Sequence, residues 1–198
     1  MQKTVIRPAG EGDIPAIIAL YRELDAAMVD LQPEFFCEAP REEAEISSAV
    51  KAQDADFLLA EQDGTPVGFA LVTYAGWTPA YSCVLPHRYA RLEDLVVGKA
   101  YRGRGIGGEL LAAAKRWARN RRLEYVELNV LAQNESAVKL YESQDFVEAT
   151  KVMRCMLLKP LCRGRACPAR RFTVAPLSRL ICRAGLDPFA GRRGRRPL

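Results

Sequence analysis

Within seven residues, Arg102-Gly103-Arg104-Gly105-Ile106-Gly107-Gly108, this chain sets four glycines and two arginines. Glycine lets backbone approach a ligand closely and aim unpaired N–H groups at it. The arginines add fixed positive charge, and a helix starting near Ile106 would bring its positive dipole end to the same place. Loop, charge and dipole together predict a phosphate or pyrophosphate, and so a phosphorylated cofactor.

Gly103, Gly105 and Gly108 also satisfy the dinucleotide spacing of Gly, any, Gly, any, any, Gly. That fingerprint places its first glycine directly after a strand, whereas Gly98 to Arg102 intervene here after Val97, and no acidic strand end follows at the right distance. No Gly-Lys-Ser/Thr occurs, which excludes a P-loop. The remaining pattern is Arg, any, any, Gly, any, Gly from Arg102 to Gly107, after the apolar strand Leu95-Val96-Val97. In this it resembles the GCN5-related N-acetyltransferases, whose coenzyme A pyrophosphate loop has that form, and the resemblance extends from about Val5 to Leu158.

The resemblance implies acetyl-CoA as cosubstrate, no metal, and an α/β (α+β) fold in which a mixed central sheet with splayed strands is flanked by about four helices. Leu95, Val96 and Val97 would offer backbone groups to the pantetheine arm, as to an added strand. Asn134, followed seven residues later by Tyr141, matches the family's pair on the helix after the fifth strand, with Leu140 beside it. By resemblance Asn134 contacts the pantetheine and Tyr141 protonates the departing sulfur; the residues alone also allow Asn134 to cap the helix and Tyr141 to pack. Asp145-Phe146 stands where the family usually has Gly-Phe, a departure that bears on the local turn.

Glu93 and Asp94 precede the cofactor strand. Neighbours on an extended chain face opposite sides, so at most one is expected to point into a site. An amine of pKa about 10 must lose a proton before it can attack, and a carboxylate can both hold the ammonium and relay that proton. The run Leu92-Glu93-Asp94-Leu95-Val96-Val97 resembles the diamine (spermidine/spermine type) branch of the family, in which the Glu is a base acting through water. That points to acetyl transfer onto the primary amine of a small cationic acceptor, a diamine or polyamine. A protein N-terminus, a lysine, an aminoglycoside, or a non-catalytic acyl-CoA-binding module are the alternatives the sequence leaves open. A homodimer is the expected assembly.

The elements that must position these residues follow from periodicity. Thr4 to Arg7 reads as a strand ended by Pro8, and Asp13 as the N-cap of a helix whose apolar stripe runs from Ile14 to Met28. A weaker stripe covers Arg41 to Gln53; the resemblance implies that this region lies over the acceptor pocket, and Glu34, Glu38, Glu42, Glu43 and Glu45 read either as carboxylates near an acceptor or as a solvated acidic surface. Asp56 to Gln62 and Pro66 to Tyr74 flank the hairpin signal Asp63-Gly64, and His87 to Val97 completes an antiparallel meander. A helix from Ile106 bears Leu110, Leu111, Ala114, Trp117 and Ala118 on one face; Tyr125 to Leu131 is the next strand, Asn134 opens another helix, and Phe146 to Leu158 supplies the last strand or strands.

Residues 160–198 hold ten arginines, no lysine and one aspartate, a net charge of +9 that leaves residues 1–159 at −4 out of the chain's +5. The sequence therefore divides into an enzyme domain, 1–159, and an Arg/Gly/Pro-rich tail that should not fold alone. The basic pI gives no reason to assign nucleic acid to the domain, whose mild acidity suits a cationic partner. No apolar run approaches the roughly 18 to 20 residues of a membrane span, and no signal-peptide layout is present, so a cytoplasmic location is expected. Six scattered cysteines and the lone His87 argue against zinc, and Cys37, Cys83 and Cys155 are read as reduced, packed thiols.

Overall fold

The computed structural model describes residues 3–77, 83 and 85–157. The basic tail lies outside the described residues, as does Pro79 of the loop before His87.

The order of elements is β1 (Val5–Pro8), α1 (Ile14–Leu31), α2 (Glu43–Val50), β2 (Ala55–Gln62), β3 (Thr65–Trp77), β4 (His87–Val97), α3 (Ile106–Asn120), β5 (Val126–Leu128) and α4 (Glu135–Glu142). The five strands lie side by side in chain order; β1 to β4 are antiparallel and β5 is parallel to β4. This is the expected mixed sheet with four helices. Asp63 and Gly64 join β2 to β3 with φ of +49° and +77°, the pair of left-handed residues that a tight hairpin twisted like its strands needs.

Strand β2 is buried along almost its whole length because helices cover both faces. Phe57 and Leu59 pack with Phe69, Val96 and the Ile14, Ile17, Leu20 and Tyr21 stripe of α1, joined by Ile46 of α2. Leu58 and Ala60 face the other way, with Val72 and Leu92, onto Ile106, Leu110, Leu111, Ala114 and Trp117 of α3. The sheet is thus the middle layer of three.

Four expectations need correction. Asp13 does not cap α1: its carboxylate turns back to accept from the Gly10 N–H at 2.8 Å and from Arg7 at 2.7 and 2.9 Å, closing a short 3-10 turn before the helix. Helix α2 is shorter than its stripe, with Ile46 fully buried and Ala49 and Val50 packed part-buried beside it. No strand forms between Phe146 and Leu157; Val147, Val152, Met153, Met156 and Leu157 are instead 55–88% exposed. Cys37, Cys83 and Cys155 are exposed free thiols, because the segments that carry them do not enter the core.

Candidate active site

Strand β4 organises the site. Its pairing with β3 runs to Val97, whereas its pairing with β5 covers only Ala90, Arg91 and Leu92. Beyond Leu92 the β5-facing edge is open. Leu95, Val96 and Val97 lie along that opening, with Val96 packed toward α1 and Leu95 and Val97 against the α3 side.

The register with β3 slips at one point: Leu71 faces Asp94 and Val72 faces Leu92, which leaves Glu93 as the extra residue of a bulge. Strict alternation would put Glu93 and Asp94 on opposite faces. The bulge instead turns both toward the α1 side. Glu93 accepts from the Thr73 hydroxyl at 3.0 Å and lies 3.6 Å from Arg91, while Asp94 accepts from the buried Tyr21 hydroxyl at 2.7 Å. Burial pushes both carboxyl pKa values up; the Thr73 bond and Arg91 oppose the shift at Glu93, and the Tyr21 bond and Arg41 oppose it at Asp94.

Arg41, just before α2, belongs to the same group. Its guanidinium stacks 4.5 Å from the centre of the Tyr21 ring and donates to Asp25 at 3.0 Å. Asp25, Tyr21, Arg41, Thr73 and Arg91 are site neighbours that sequence reasoning missed. Only Tyr21 left a trace, as a polar-tipped residue inside the apolar stripe of α1. Glu34, Glu38, Glu42 and Glu43 are exposed, as the solvated reading has them, and the acids next to the β4 opening are Asp25, Glu93, Asp94 and, on β5, Glu127.

After β4 the chain makes one 3-10 turn, Lys99–Tyr101, and enters the glycine loop. Gly103 and Gly105 have φ of +74° and +84°, a conformation that costs any other residue type strain. Gly105 immediately precedes α3 and brings no side chain to cap it, so the amides of Ile106, Gly107 and Gly108 face outward with the helix dipole behind them. Arg102 donates Nε to the Val97 carbonyl at 2.9 Å and Arg104 donates to the Ala100 carbonyl at 2.9 Å. Both arginines therefore brace the loop as well as charging it. A Cβ at Gly107 would meet Leu140 Cδ2 at 3.0 Å, so the glycine also permits α3 to touch α4. Two left-handed glycines, an uncapped helix start and two braced arginines fit a pyrophosphate, and the open β4 edge beside them fits an extended amide-bearing arm.

Asn134 caps α4: its Oδ1 accepts from the Ala137 N–H at 3.2 Å and from the Ser136 hydroxyl at 3.0 Å, leaving the amide NH₂ as the group that could reach a ligand. Tyr141, two turns on, packs against Phe146 and the cluster holding Leu95 and Val97. Burial, and then the Asp94 charge, push its pKa to about 12. Tyr141 and Asp94 thus come within electrostatic reach across the β4 opening, although each belongs to a different face. Asp145 keeps the turn expected of glycine, with φ +63° and the Phe146 N–H bonded to the Tyr141 carbonyl at 3.1 Å. Among the described residues no three His, Cys, Asp or Glu side chains converge on a metal position, and no helix is long and apolar enough to cross a membrane.

Known proteins share this architecture. A protein from Bacillus halodurans superposes with a TM-score of 0.73 over 77% of this chain and 99% of its own, at 21% identity. An aminoglycoside N-acetyltransferase solved in complex with CoA does so with a TM-score of 0.60 over 79% and 95%, at 19% identity. By sequence, an uncharacterised N-acetyltransferase of Bacillus subtilis is 31% identical over 78% of this chain and 97% of its own, and the thialysine N-epsilon-acetyltransferase of Bos taurus is 30% identical over 75% and 89%. The model of the acetyltransferase (GNAT) family matches residues 19–146, from the middle of α1 to the turn after α4. Matched across the whole β4, glycine-loop and α4 unit, this chain belongs to the acetyltransferase (GNAT) family as an N-acetyltransferase.

Proposed function

We propose that the chain transfers the acetyl group of acetyl-CoA to a primary amine of a small cationic acceptor, a diamine or polyamine. The observation that carries this reading is the β4 bulge, which sets Glu93 and Asp94 side by side on the α1 face next to the open edge. Two carboxylates there hold an ammonium, and their elevated pKa values bring them closer to the neutral range in which a base can take a proton from an amine. Glu93, the less enclosed of the two, is the base acting through water, and Asp94 holds the cation.

The bound cosubstrate supplies a thioester-activated acetyl group. The outward amides of Ile106, Gly107 and Gly108, with Gly103, Gly105, Arg102 and Arg104, hold its pyrophosphate; the backbone of Leu95, Val96 and Val97 and the Asn134 amide align its arm. Tyr141 keeps its proton throughout the neutral range. A phenol near pKa 12 facing a thiol of pKa about 8.5 would give up its proton fully at a cost of roughly 5 kcal/mol, so the hydroxyl acts by donating a hydrogen bond to the sulfur as charge develops there.

A lysine-type acceptor is the second reading, favoured by the 30% identical relative whose name specifies an N-epsilon amine. A homodimer in the cytoplasm is the setting we infer, to be checked by light scattering and by localisation of a tagged chain. The deciding experiment follows thiol release from acetyl-CoA with diamines, polyamines, lysine, thialysine, an aminoglycoside and a peptide N-terminus. Highest kcat/KM with a diamine or polyamine is expected; a lysine-type optimum selects the second reading, and no release with any amine removes both.

A further inference from the structure

The acidic face beside β4 already holds a cation of its own. Arg41 lies on the segment between α1 and α2, where the chain has left Gln32 and not yet entered α2 at Glu43. Its side chain is 38% exposed, yet its head is turned inward. It stacks on the Tyr21 ring at 4.5 Å, donates to Asp25 at 3.0 Å, and interacts electrostatically with Asp94, whose Oδ2 is tied to the same Tyr21 at 2.7 Å. One guanidinium thus pairs directly with Asp25 and covers the ring whose hydroxyl is bonded to Asp94, 69 positions further along the chain. On the far side of the bulge Arg91 plays a different part: it sits between Glu93 and Glu127 at 3.6 Å from each and is anchored on β4 itself. Arg41, by contrast, lies on a connecting segment that is no part of the sheet.

We propose that Arg41 is a specificity-determining residue, a resident counter-ion on the Asp25 carboxylate and the Tyr21 ring that the distal ammonium of a doubly charged acceptor replaces when it binds. The inference rests on the cationic-acceptor reading above and deepens it by assigning the second charge of the acceptor a place. The physical logic is exchange. An acceptor with a single amine uses Glu93 and Asp94 at the reacting end and leaves Arg41 where it is. A diamine brings a second ammonium that can take over the Tyr21 ring face and the Asp25 carboxylate, because an aromatic face and a carboxylate accept an alkyl ammonium as they accept a guanidinium. Arg41 then competes with the second ammonium, so the charge on Arg41 sets how strongly the enzyme prefers diamines over monoamines.

The test compares acceptor KM values for a diamine and for the alkyl monoamine of equal length in the wild type, Arg41→Gln and Arg41→Lys. Removing a partly exposed competing charge is worth up to about 1 kcal/mol, so Arg41→Gln should lower the diamine KM by about three- to fivefold. The monoamine KM should change by less, because Arg41 bonds Asp25 directly and acts on Asp94, at the reacting end, only through its charge. Arg41→Lys keeps the charge and should keep the wild-type ratio of the two. A purely structural role for Arg41 would move both KM values together, and this outcome, or an unchanged diamine KM in Arg41→Gln, overturns the proposal. A wild type that acetylates neither amine overturns the cationic-acceptor reading itself, and the exchange with it.

Discussion

The roles proposed for Tyr141 as hydrogen-bond donor and for Glu93 as base can each be read in a single substitution. Tyr141→Phe retains the ring that packs on Phe146 and removes the hydroxyl alone. Loss of one hydrogen-bond donor to developing charge is worth about 10² to 10³ in rate, so kcat should fall on that order while the dissociation constant of acetyl-CoA stays unchanged. Full turnover in Tyr141→Phe with every amine would assign the donor elsewhere. As the proposed base Glu93 must be a carboxylate, so turnover should be lost as pH falls through its pKa, and burial should place that loss above the ordinary Glu range. In Glu93→Gln that limb vanishes, and the rate should climb with pH toward the acceptor's own pKa of about 10, where the amine is neutral unaided. An acid limb unchanged in Glu93→Gln would exclude Glu93 as the titrating base. The pairing of Glu93 with Asp94 on one face was not legible in the sequence, because a bulge is fixed by the register with β3 and leaves no signature in Leu-Glu-Asp-Leu.

At the scale of elements, the strand, glycine loop and helix from β4 to α3 were legible almost to the residue: His87 to Val97 and a helix start at Ile106 both hold. Dense local signals explain this, since apolar runs, glycines and a helical stripe each restrict the backbone on their own. Cofactor binding by the loop is testable through thermal stability. Acetyl-CoA should raise the melting temperature of the wild type. Gly105→Glu should show no such rise, because it adds a negative side chain where the phosphate sits. At φ +84° any side chain also strains the fold, by about 1–2 kcal/mol, so the readout is the ligand-dependent shift and not the melting temperature itself. Equal shifts in both proteins would remove the loop assignment. The turn after α4 offers a measure of strain alone. Asp145 occupies a left-handed position at φ +63°, and its carboxylate, 98% exposed and 3.8 Å from Lys115, adds little by pairing. Asp145→Gly should therefore be neutral or stabilising, by up to about 1 kcal/mol in denaturant unfolding; clear destabilisation would mean the Lys115 contact matters more than the backbone.

For the molecule as a whole, long-range features were the hardest to read. Nothing local in Phe146 to Leu157 announces that it forms no strand, and nothing in the spacing of Cys37, Cys83 and Cys155 hinted that they are exposed. Composition changes at about residue 160, from a charge of −4 over residues 1–159 to +9 over residues 160–198. That change supports a last prediction. Among the described residues, the two core clusters draw nothing from beyond Phe146: one is built on α1, α2 and the α1-facing side of the sheet, the other on α3 and its opposite side. The glycine loop, the β4 opening and the acidic face are likewise complete by Tyr141. Residues 160–198 have the arginine, glycine and proline content of a chain that buries too little apolar surface to offset its ordering entropy. A protein ending at Lys159 should thus unfold cooperatively, keep the stabilisation by acetyl-CoA, and retain kcat. The sensitive point is the exposed row of Val147, Val152, Met153, Met156 and Leu157. If removing residues 160–198 gave insoluble protein or exposed new dye-binding surface, the tail would be the cover of that row, and the domain boundary would have to move past residue 159.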